Sequence, residues 1–300
     1  MTGPLYTLDD LSSRDRLDAG HAKPARLAVI GCPVAHSLSP RMHQPALDEA
    51  GIDARYIKVE VEPERVAAAF ARMQELGFIG CNVTVPHKFE ALAACDQVDP
   101  GARETGAVNT VVFREGGISG YNTDGYGFAE AVRETLDLAL PGASVLIAGA
   151  GGGAGGAIAT HCAANGVARL VLVNRSMDKI EELASRLHRY HGEIAIVTAR
   201  LDDPGLPKLA ASVGLIVNTT SLGLKPEDPS PLLPGCFLPQ HAVFDTIYRS
   251  GTAFQEAARA AGARVGTGQP MLLHQGVKAF QIWFPGSDPA AAMRRGLAAA

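Results

Sequence analysis

Residues 144–156 read Ser-Val-Leu-Ile-Ala-Gly-Ala-Gly-Gly-Gly-Ala-Gly-Gly. A short apolar run is followed at once by glycines in the order Gly149-x-Gly151-x-x-Ala154, which is typical of the strand, tight turn and helix that open a dinucleotide-binding unit. Gly149 permits the tight turn, and Gly151 lets backbone N–H groups approach a pyrophosphate at the positive end of the helix. The stretch predicts a Rossmann-type fold, and a glycine-rich turn packed only for structural reasons is the alternative.

The chain on either side of this turn alternates short apolar runs with helical periodicity. Such alternation predicts α/β architecture with mainly parallel sheets. The predicted strands are 27–30, 54–61, 79–85, 143–148, 168–173, 193–197, 214–218 and 242–246, with a hairpin at 108–113 and 118–122 expected at a sheet edge. The predicted helices are 63–76, one from His87, 124–139, 152–165, 176–190, 252–261, 271–283 and 289–299. Residues 1–25 precede the first clear strand as an extension in which Thr7 is a candidate helix cap.

Charge and cysteine usage narrow the class of partner. The net charge of −4 and the pI near 6.1 provide no basic field for nucleic acid, and no Lys/Arg-rich run suits an anionic membrane. We therefore expect a small-molecule partner. Five scattered cysteines without a C-x-x-C pair indicate neither a disulfide framework nor a zinc site, which fits a reducing cytoplasm. No histidine spacing predicts a metal ligand set.

The uncharged stretch 138–168 has the length of a membrane span, but its glycines are better explained by the strand, turn and helix described above. The polar N-terminus lacks the apolar core of a signal peptide.

Polar side chains cluster where predicted strands end. Residues 82–88 read Asn-Val-Thr-Val-Pro-His-Lys, residues 106–110 read Gly-Ala-Val-Asn-Thr, and residues 122–125 read Asn-Thr-Asp-Gly. Lys88 falls in the first turn of a helix, where the positive end of the dipole opposes its charge and should depress its pKa, as suits an acid–base catalyst. Asp124 is alternatively the N-cap of the helix that follows it.

The segment Ser37-Leu-Ser39-Pro40 opens another predicted helix. Two hydroxyls at a helix N-terminus form an anion site without a fixed charge, while Ser39 is equally well placed as a plain N-cap.

The strand after the glycine-rich turn ends in Asn174-Arg175-Ser176, with Lys179 following. An enzyme specific for NAD normally carries an acidic residue here for the ribose 2′-hydroxyl, whereas a cation suits the 2′-phosphate of NADP. The sequence therefore favours NADP. The alternative is that Ser176 caps the next helix and that Arg175 is only solvated.

Together with residues 31–43, these motifs closely resemble the shikimate dehydrogenase family over about residues 26–285. The resemblance implies an NADP-binding Rossmann domain at 125–267 and a discontinuous substrate-binding domain formed by 26–124 with 268–300, to which the final helices return. It implies reversible NADPH-dependent reduction of 3-dehydroshikimate to shikimate, a step of chorismate and aromatic amino-acid biosynthesis, in a cytoplasmic monomer or homodimer. Binding in a cleft between the domains would exclude water.

The same resemblance assigns roles to individual residues. Lys88 and Asp124 form a dyad that handles the proton of the reacting hydroxyl, and the Ser37 and Ser39 pair binds the substrate carboxylate. The other substrate-binding residues are Thr84, Asn109, Tyr248 and Gln275. The cofactor-binding residues are Gly149, Ala150, Gly151, Gly152, Gly153, Asn174, Arg175, Ser176, Lys179, Thr246 and Gly268. The chain departs from the family pattern at Gly155 and Gly156, where members often carry a long polar or basic side chain.

Two other functions fit the same motifs. Quinate or aminoshikimate suits the same set of polar side chains, and a non-catalytic ligand-sensing module can use the same fold. The presence of both Lys88 and Asp124 argues against the sensing module.

Overall fold

The computed structural model describes residues 4–192 and 194–299. Contacts divide the chain into unit 1, which comprises Met1–Thr123 and Gln275–Ala300, and unit 2, which comprises Asp124–His274. Unit 1 is discontinuous in sequence and includes the N-terminal residues that were expected to form a separate extension. Asp124 and residues 268–274, which were expected in the discontinuous domain, belong to unit 2. The substrate-binding and NADP-binding roles of the two units stay predictions.

A seven-stranded sheet forms the centre of unit 1. Its strands are β1 (Leu5–Thr7), β2 (Ala25–Gly31), β3 (Arg55–Glu60), β4 (Gly80–Val83), β5 (Gln97–Val98), β6 (Thr110–Arg114) and β7 (Gly117–Tyr121), in the order β1-β3-β2-β4-β6-β7-β5. Its helices are α1 (Arg14–Asp18), α2 (Ser39–Glu49), α3 (Val66–Glu75), α4 (Lys88–Ala93) and α5 (Pro100–Thr105). The predicted hairpin is confirmed as β6 and β7, which pair antiparallel, but β5 and not the hairpin lies at the edge of the sheet.

The N-terminal residues of unit 1 extend this sheet. Strand β1 pairs in parallel with β3, so Thr7 lies in a strand and the prediction that it caps a helix was wrong. Its backbone N–H and its hydroxyl donate to Asp10 at 2.8 and 2.9 Å, while the Ser13 side chain caps α1. The guanidinium of Arg55 donates to the carbonyl of Leu17, which ties the segment to β3.

Unit 2 contains a six-stranded sheet in which each pair of neighbouring strands is parallel. Its strands are β8 (Ser144–Ala148), β9 (Arg169–Asn174), β10 (Ala195–Arg200), β11 (Leu215–Asn218), β12 (Ala242–Asp245) and β13 (Arg264–Thr267). Its helices are α6 (Asp124–Leu136), α7 (Gly153–Ala164), α8 (Met177–His191), α9 (Leu206–Ala210) and α10 (Ala253–Ala260). The order β10-β9-β8-β11-β12-β13 is that of a doubly wound dinucleotide-binding sheet, so the predicted α/β Rossmann-type class is confirmed.

Two C-terminal helices complete the chain: α11 (Gly268–Trp283), which contains the second boundary between the units, and α12 (Ala290–Ala298). The indole of Trp283 is buried and donates to the carbonyl of Val111 at 3.0 Å, next to Gly80, where a Cβ atom would collide with the indole. Helix α12 packs on α2, and Gly296 lies against the carbonyl of Arg41. Glycines at these two contacts let the C-terminal helices approach the backbone of unit 1.

His43 lies inside the core of unit 1 with no exposed surface, and neither ring nitrogen has a hydrogen-bond partner. Its ring stacks on Tyr56 at 4.5 Å between centroids and 4° between planes, and it lies 5.3 Å from the Trp283 ring. Burial lowers the pKa of His43 from 6.5 to about 3, because the apolar surroundings disfavour the imidazolium. The folded protein therefore keeps this histidine neutral.

This neutral histidine predicts a pH-dependent stability. Between pH 6.5 and about 3 the unfolded chain binds a proton at His43 that the folded chain does not, so acidification destabilises the fold. We expect His43→Phe to reduce the slope of unfolding free energy against pH in this range by up to about 1.4 kcal/mol per pH unit. Fluorescence of Trp283, the single tryptophan, reports urea unfolding of unit 1. If the unfolding free energies of the wild type and of His43→Phe change with pH in parallel, His43 is not the group that makes stability depend on pH.

Candidate active site

The Ser37 and Ser39 hydroxyls lie at the start of α2, but not as a helix cap. The helix begins at Ser39, its N-cap is Leu38 in αR conformation, and no side chain makes a capping hydrogen bond. The prediction that Ser39 is the N-cap was therefore wrong. Instead, the backbone N–H of Ser39 donates to the Ser37 hydroxyl at 3.3 Å, which brings the two serines together. Ser39 is buried, with 6% of its surface exposed.

Two backbone hydrogen bonds and one from the His87 side chain fix the segment that carries Thr84 and Lys88. Thr84 donates its N–H to Ile30, and Val108 donates its N–H to the Lys88 carbonyl at 2.9 Å. The buried His87 ring bonds to the Val61 carbonyl through Nε2 at 2.6 Å. Helix α4 begins at Lys88, one residue later than predicted, so Lys88 lies in the first turn as expected. Lys88 is half-buried.

Asn109 is the centre of a buried hydrogen-bond network at the ends of β6 and β7. Its side-chain Oδ1 accepts from the Thr123 N–H and from the Thr110 hydroxyl, each at 2.9 Å, and its Nδ2 donates to the Thr123 hydroxyl at 3.1 Å. The Thr123 hydroxyl also donates to Gln275 Oε1 at 3.5 Å. Asn82 joins the network by donating to the Thr110 hydroxyl at 3.2 Å. The structure thus brings the predicted residues Asn109 and Gln275 together through a threonine.

The glycine-rich turn of unit 2 follows β8 and leads into α7. Gly149 has φ of +87°, and a Cβ atom there would lie 2.8 Å from the backbone nitrogen of Thr220. At Gly155 a Cβ atom would lie 2.5 Å from the Gly149 carbonyl oxygen, so α7 packs directly on the turn. This contact explains why the chain lacks a long side chain at Gly155. Strands β8 and β11 are neighbours where the strand order reverses, and ligands of doubly wound sheets bind at that position.

The predicted 2′-phosphate residues lie beside this turn. A Cβ atom on Gly151 would come within 2.6 Å of Asn174 Nδ2 and 2.9 Å of Lys179 Cβ, so the missing side chain lets the end of β9 and the start of α8 approach the turn. Arg175 and Lys179 are exposed. Ser176 occupies the N-cap position of α8 but makes no capping hydrogen bond with its side chain, contrary to the capping alternative. The Asn174 amide and the exposed cations Arg175 and Lys179 thus lie at the N-terminus of α8.

The remaining predicted residues of unit 2 lie at the ends of β12 and β13 and at the start of α6. Gly268 packs against the Thr246 backbone, where a Cβ atom would overlap the carbonyl. Asp124 is buried and is the first residue of α6. Tyr248 is half exposed as a residue, yet desolvation of its hydroxyl, and secondarily the charge of Asp124, raise the pKa of Tyr248 to about 12. The Tyr248 hydroxyl is therefore protonated at neutral pH.

Sequence reasoning missed the buried carboxylate that holds the Tyr248 segment. Asp245 accepts from the Thr252 hydroxyl at 2.7 Å, Asn218 Nδ2 at 2.9 Å, Gln255 Nε2 at 3.0 Å and the Ile247 N–H at 3.2 Å. Burial raises the pKa of Asp245, and these donors oppose the rise by stabilising the anion. These donors lie 2, 7, 10 and 27 residues from Asp245 and form no recognised motif.

Within residues 4–192 and 194–299, no group of three or more His, Cys, Asp or Glu side chains is arranged to hold a metal ion. The described helices include none that is both long enough and apolar enough to cross a membrane. All five cysteines carry free thiols.

A doubly wound sheet with a glycine-rich turn, joined in one chain to a second α/β unit, defines a class of two-unit dinucleotide-binding proteins. Residues 29–111 match the shikimate dehydrogenase substrate binding domain. A shikimate dehydrogenase (NADP(+)) of Symbiobacterium thermophilum is 41% identical over 280 residues, which cover 91% of this chain and 94% of the relative. The chain belongs to the shikimate dehydrogenase family.

Solved structures agree with this assignment. Shikimate 5-dehydrogenase from Thermus thermophilus, in complex with NADP(H) and shikimate, shares 36% sequence identity with a TM-score of 0.78, covering 91% of this chain and 99% of that chain. Quinate dehydrogenase from Corynebacterium glutamicum, in complex with NAD, shares 29% identity with a TM-score of 0.82, covering 91% and 98%. Different substrates are thus named for proteins of the same fold.

The crowding at Gly149 predicts a large effect of adding one methyl group. Gly149→Ala meets both an unfavourable positive φ and the Thr220 backbone, so we expect a loss of about 3 kcal/mol or more in unfolding free energy. Gly142→Ala is the matched control, because Gly142 has φ of +77° but nothing within 4 Å of its Cβ position, and about 1 kcal/mol should be lost. The unfolding free energies are measured by urea titration followed by circular dichroism. If both variants lose the same amount, the strain of the positive φ explains the whole effect and the contact with Thr220 adds nothing.

Proposed function

We propose that the protein catalyses the reversible NADPH-dependent reduction of 3-dehydroshikimate to shikimate. The observation that carries the proposal is membership of the shikimate dehydrogenase family along nearly the whole chain, with 41% identity to a relative named for this activity. The residues that the resemblance assigns to substrate and cofactor are all present. In unit 1, Ser37 and Ser39 lie at the start of α2, Thr84 and Asn109 lie beside strand ends, and Gln275 lies within α11.

Lys88 is the proposed proton donor. NADPH, when bound, supplies a hydride to the carbonyl carbon of the substrate, and the developing alkoxide must then be protonated. Lys88, the first residue of α4, is proposed to supply this proton as a general acid. In the reverse direction the neutral amine accepts the hydroxyl proton. Asp124 is proposed to orient the ammonium group and to stabilise it after proton uptake.

The polar side chains of unit 1 are proposed to hold the ring of the substrate. The Ser37 and Ser39 hydroxyls suit its carboxylate, since neither hydroxyl is used to cap α2. The amides of Asn109 and Gln275, together with the Thr84 hydroxyl, suit the ring hydroxyls. These neutral groups select for the position of each hydroxyl without the desolvation cost of a buried charge.

The residues of unit 2 fit a dinucleotide with a 2′-phosphate. The glycine-rich turn is free of side chains at Gly149 and Gly151, and α7 begins directly after it, so backbone N–H groups and the helix dipole favour a pyrophosphate. Arg175 and Lys179 are exposed beside the turn, where the 2′-phosphate of NADP would gain charge-assisted hydrogen bonds. Residues Thr246 and Gly268, which pack together, complete the proposed cofactor set.

Quinate or aminoshikimate oxidation is the second candidate, favoured by the similarity to a quinate dehydrogenase of known structure. Steady-state assays of the purified protein with shikimate, quinate and aminoshikimate, each with NADP and NAD, separate the possibilities. We expect the highest kcat/KM with shikimate and NADP. A higher kcat/KM with quinate would reassign the substrate, and no turnover with tight binding of shikimate would indicate a sensing module.

We further propose a cytoplasmic location, which free thiols in all five cysteines support. A monomer or homodimer is the proposed assembly, to be decided by light scattering on the purified protein.

Removing the Lys88 ammonium tests the proton-transfer role. Lys88→Ala should lower kcat by roughly 100-fold or more and change KM for shikimate by only a few-fold, because general acid–base catalysis typically contributes that much. Lys23→Ala is the control, since Lys23 contacts Asp48 at 2.6 Å on the exposed surface. A kcat for Lys88→Ala close to that of Lys23→Ala would remove Lys88 from the mechanism.

Cofactor preference tests the phosphate site. Arg175→Ala should raise KM for NADP and leave KM for NAD nearly unchanged, which lowers the NADP/NAD preference by roughly 10- to 150-fold, the usual value of a charged hydrogen-bond partner. Lys179 supplies part of the positive potential, so Arg175→Ala/Lys179→Ala should lose more. Arg189→Ala, near the far end of α8, controls for removing an exposed arginine. If the double variant keeps the wild-type preference, the phosphate contacts lie elsewhere.

A further inference from the structure

Asp245 is the last residue of β12, and its carboxylate has no exposed surface. Oδ1 accepts hydrogen bonds from Asn218 Nδ2 at 2.9 Å and from the Ile247 N–H at 3.2 Å. Oδ2 accepts from the Thr252 hydroxyl at 2.7 Å and from Gln255 Nε2 at 3.0 Å. Each oxygen thus has two donors, which uses all the acceptor positions of an ionised carboxyl group.

Backbone N–H groups fix which end of each amide faces this carboxylate. The Gly251 N–H donates to Gln255 Oε1 at 2.9 Å, and the Thr220 N–H donates to Asn218 Oδ1, also at 2.9 Å. A backbone N–H can only donate, so the amide atom that it contacts is the oxygen. Both amides therefore direct their nitrogen at Asp245.

The hydrogen bonds of Asp245 hold the backbone on both sides of Tyr248. Immediately before Tyr248, the Ile247 N–H donates to the carboxylate. Immediately after it, the Arg249 carbonyl accepts at 2.9 Å from the same Gln255 Nε2 group that donates to Asp245. The Tyr248 ring is half exposed, so its placement depends on this backbone more than that of a fully packed ring would.

The same carboxylate connects the Tyr248 segment to the segment that follows β11. Asn218 lies opposite Asp245 at the ends of the neighbouring strands β11 and β12, and it donates to Asp245 across them. The Arg249 guanidinium donates to two carbonyls of the segment after β11, each at 3.1 Å, which belong to Gly223 and Lys225. The two segments are therefore held to each other as well as to the sheet.

We propose that Asp245 is a positioning residue that holds Tyr248 where its hydroxyl can hydrogen-bond the substrate. The inference rests on the proposed function, because it takes Tyr248 as a substrate-binding residue. Only a carboxylate accepts from all four donors, since an asparagine would turn an NH2 group toward two of them. Asp245 thereby contributes to substrate binding without itself touching the substrate.

Fluorine NMR tests whether Asp245 holds Tyr248, without reference to turnover. Protein labelled with meta-fluorotyrosine carries six labelled rings, and Tyr248→Phe identifies the Tyr248 signal by its absence. Asp245→Asn should shift or narrow that signal and leave those of the other tyrosines unchanged. Leu187→Ala is the control, because Leu187 is a fully buried residue of α8 in the same unit and its truncation should leave the Tyr248 signal in place.

An unchanged Tyr248 signal in Asp245→Asn would overturn the inference. So would equal changes in the signals of all six tyrosines, or the same change in Leu187→Ala, because either result would reveal a general loss of structure.

A double-mutant cycle with Tyr248→Phe tests the consequence for the substrate. Asp245→Asn should raise KM for shikimate by roughly 5-fold, the usual value of one neutral hydrogen bond. In the Tyr248→Phe background the same substitution should change KM by less than about 2-fold, because the hydroxyl that it positions is gone. A normal KM in Asp245→Asn, or an equal increase in both backgrounds, would contradict the positioning role while leaving the proposed function intact.

A second variant keeps both experiments decisive if Asp245→Asn does not fold. Gln255→Met removes one donor to Asp245 and the hydrogen bond to the Arg249 carbonyl while keeping the length of the side chain, and the same outcomes apply to it. Wild-type protein that turns over no shikimate would refute the proposed function, whereas the NMR comparison would still decide whether Asp245 holds Tyr248.

Discussion

The buried amide of Asn109 is the constraint on which the arrangement of unit 1 depends. Its backbone carbonyl accepts from Val83 and its backbone N–H donates to Tyr121, while its side chain reaches Thr123. A polar group with 2% exposure must find partners inside the protein, since an unpaired one costs about 1–3 kcal/mol. Satisfying this one residue therefore fixes the ends of β4 and β7 relative to β6, and two of the proposed substrate-binding residues, Thr84 and Asn109, lie at the ends of these strands.

The glycine-rich turn of unit 2 depends on close backbone approach. Gly149, Gly151 and Gly155 lie where β8, β9, β11 and α7 converge, and a Cβ atom at each position would come within 3 Å of a neighbouring group. The surface that remains consists of backbone N–H groups and the N-terminus of α7, which recognise phosphate without relying on side-chain identity. The preference for NADP over NAD is proposed to lie with the exposed side chains of Arg175 and Lys179, which follow β9.

The features that could be predicted from sequence are those set by neighbouring residues. The glycine-rich turn, the β6–β7 hairpin and the alternation of strands and helices each follow from local propensity, and each was found. Strand β13 was missed because its four residues include the exposed Arg264 and a glycine, which give no apolar pattern. The cap at Ser39 was wrong because spacing does not reveal that Leu38 adopts the αR conformation. Thr123 was missed because Gln275, 152 residues away, is brought to it only by the fold. Asp245 was missed because its donors form no recognised motif, although three of them lie within 10 residues.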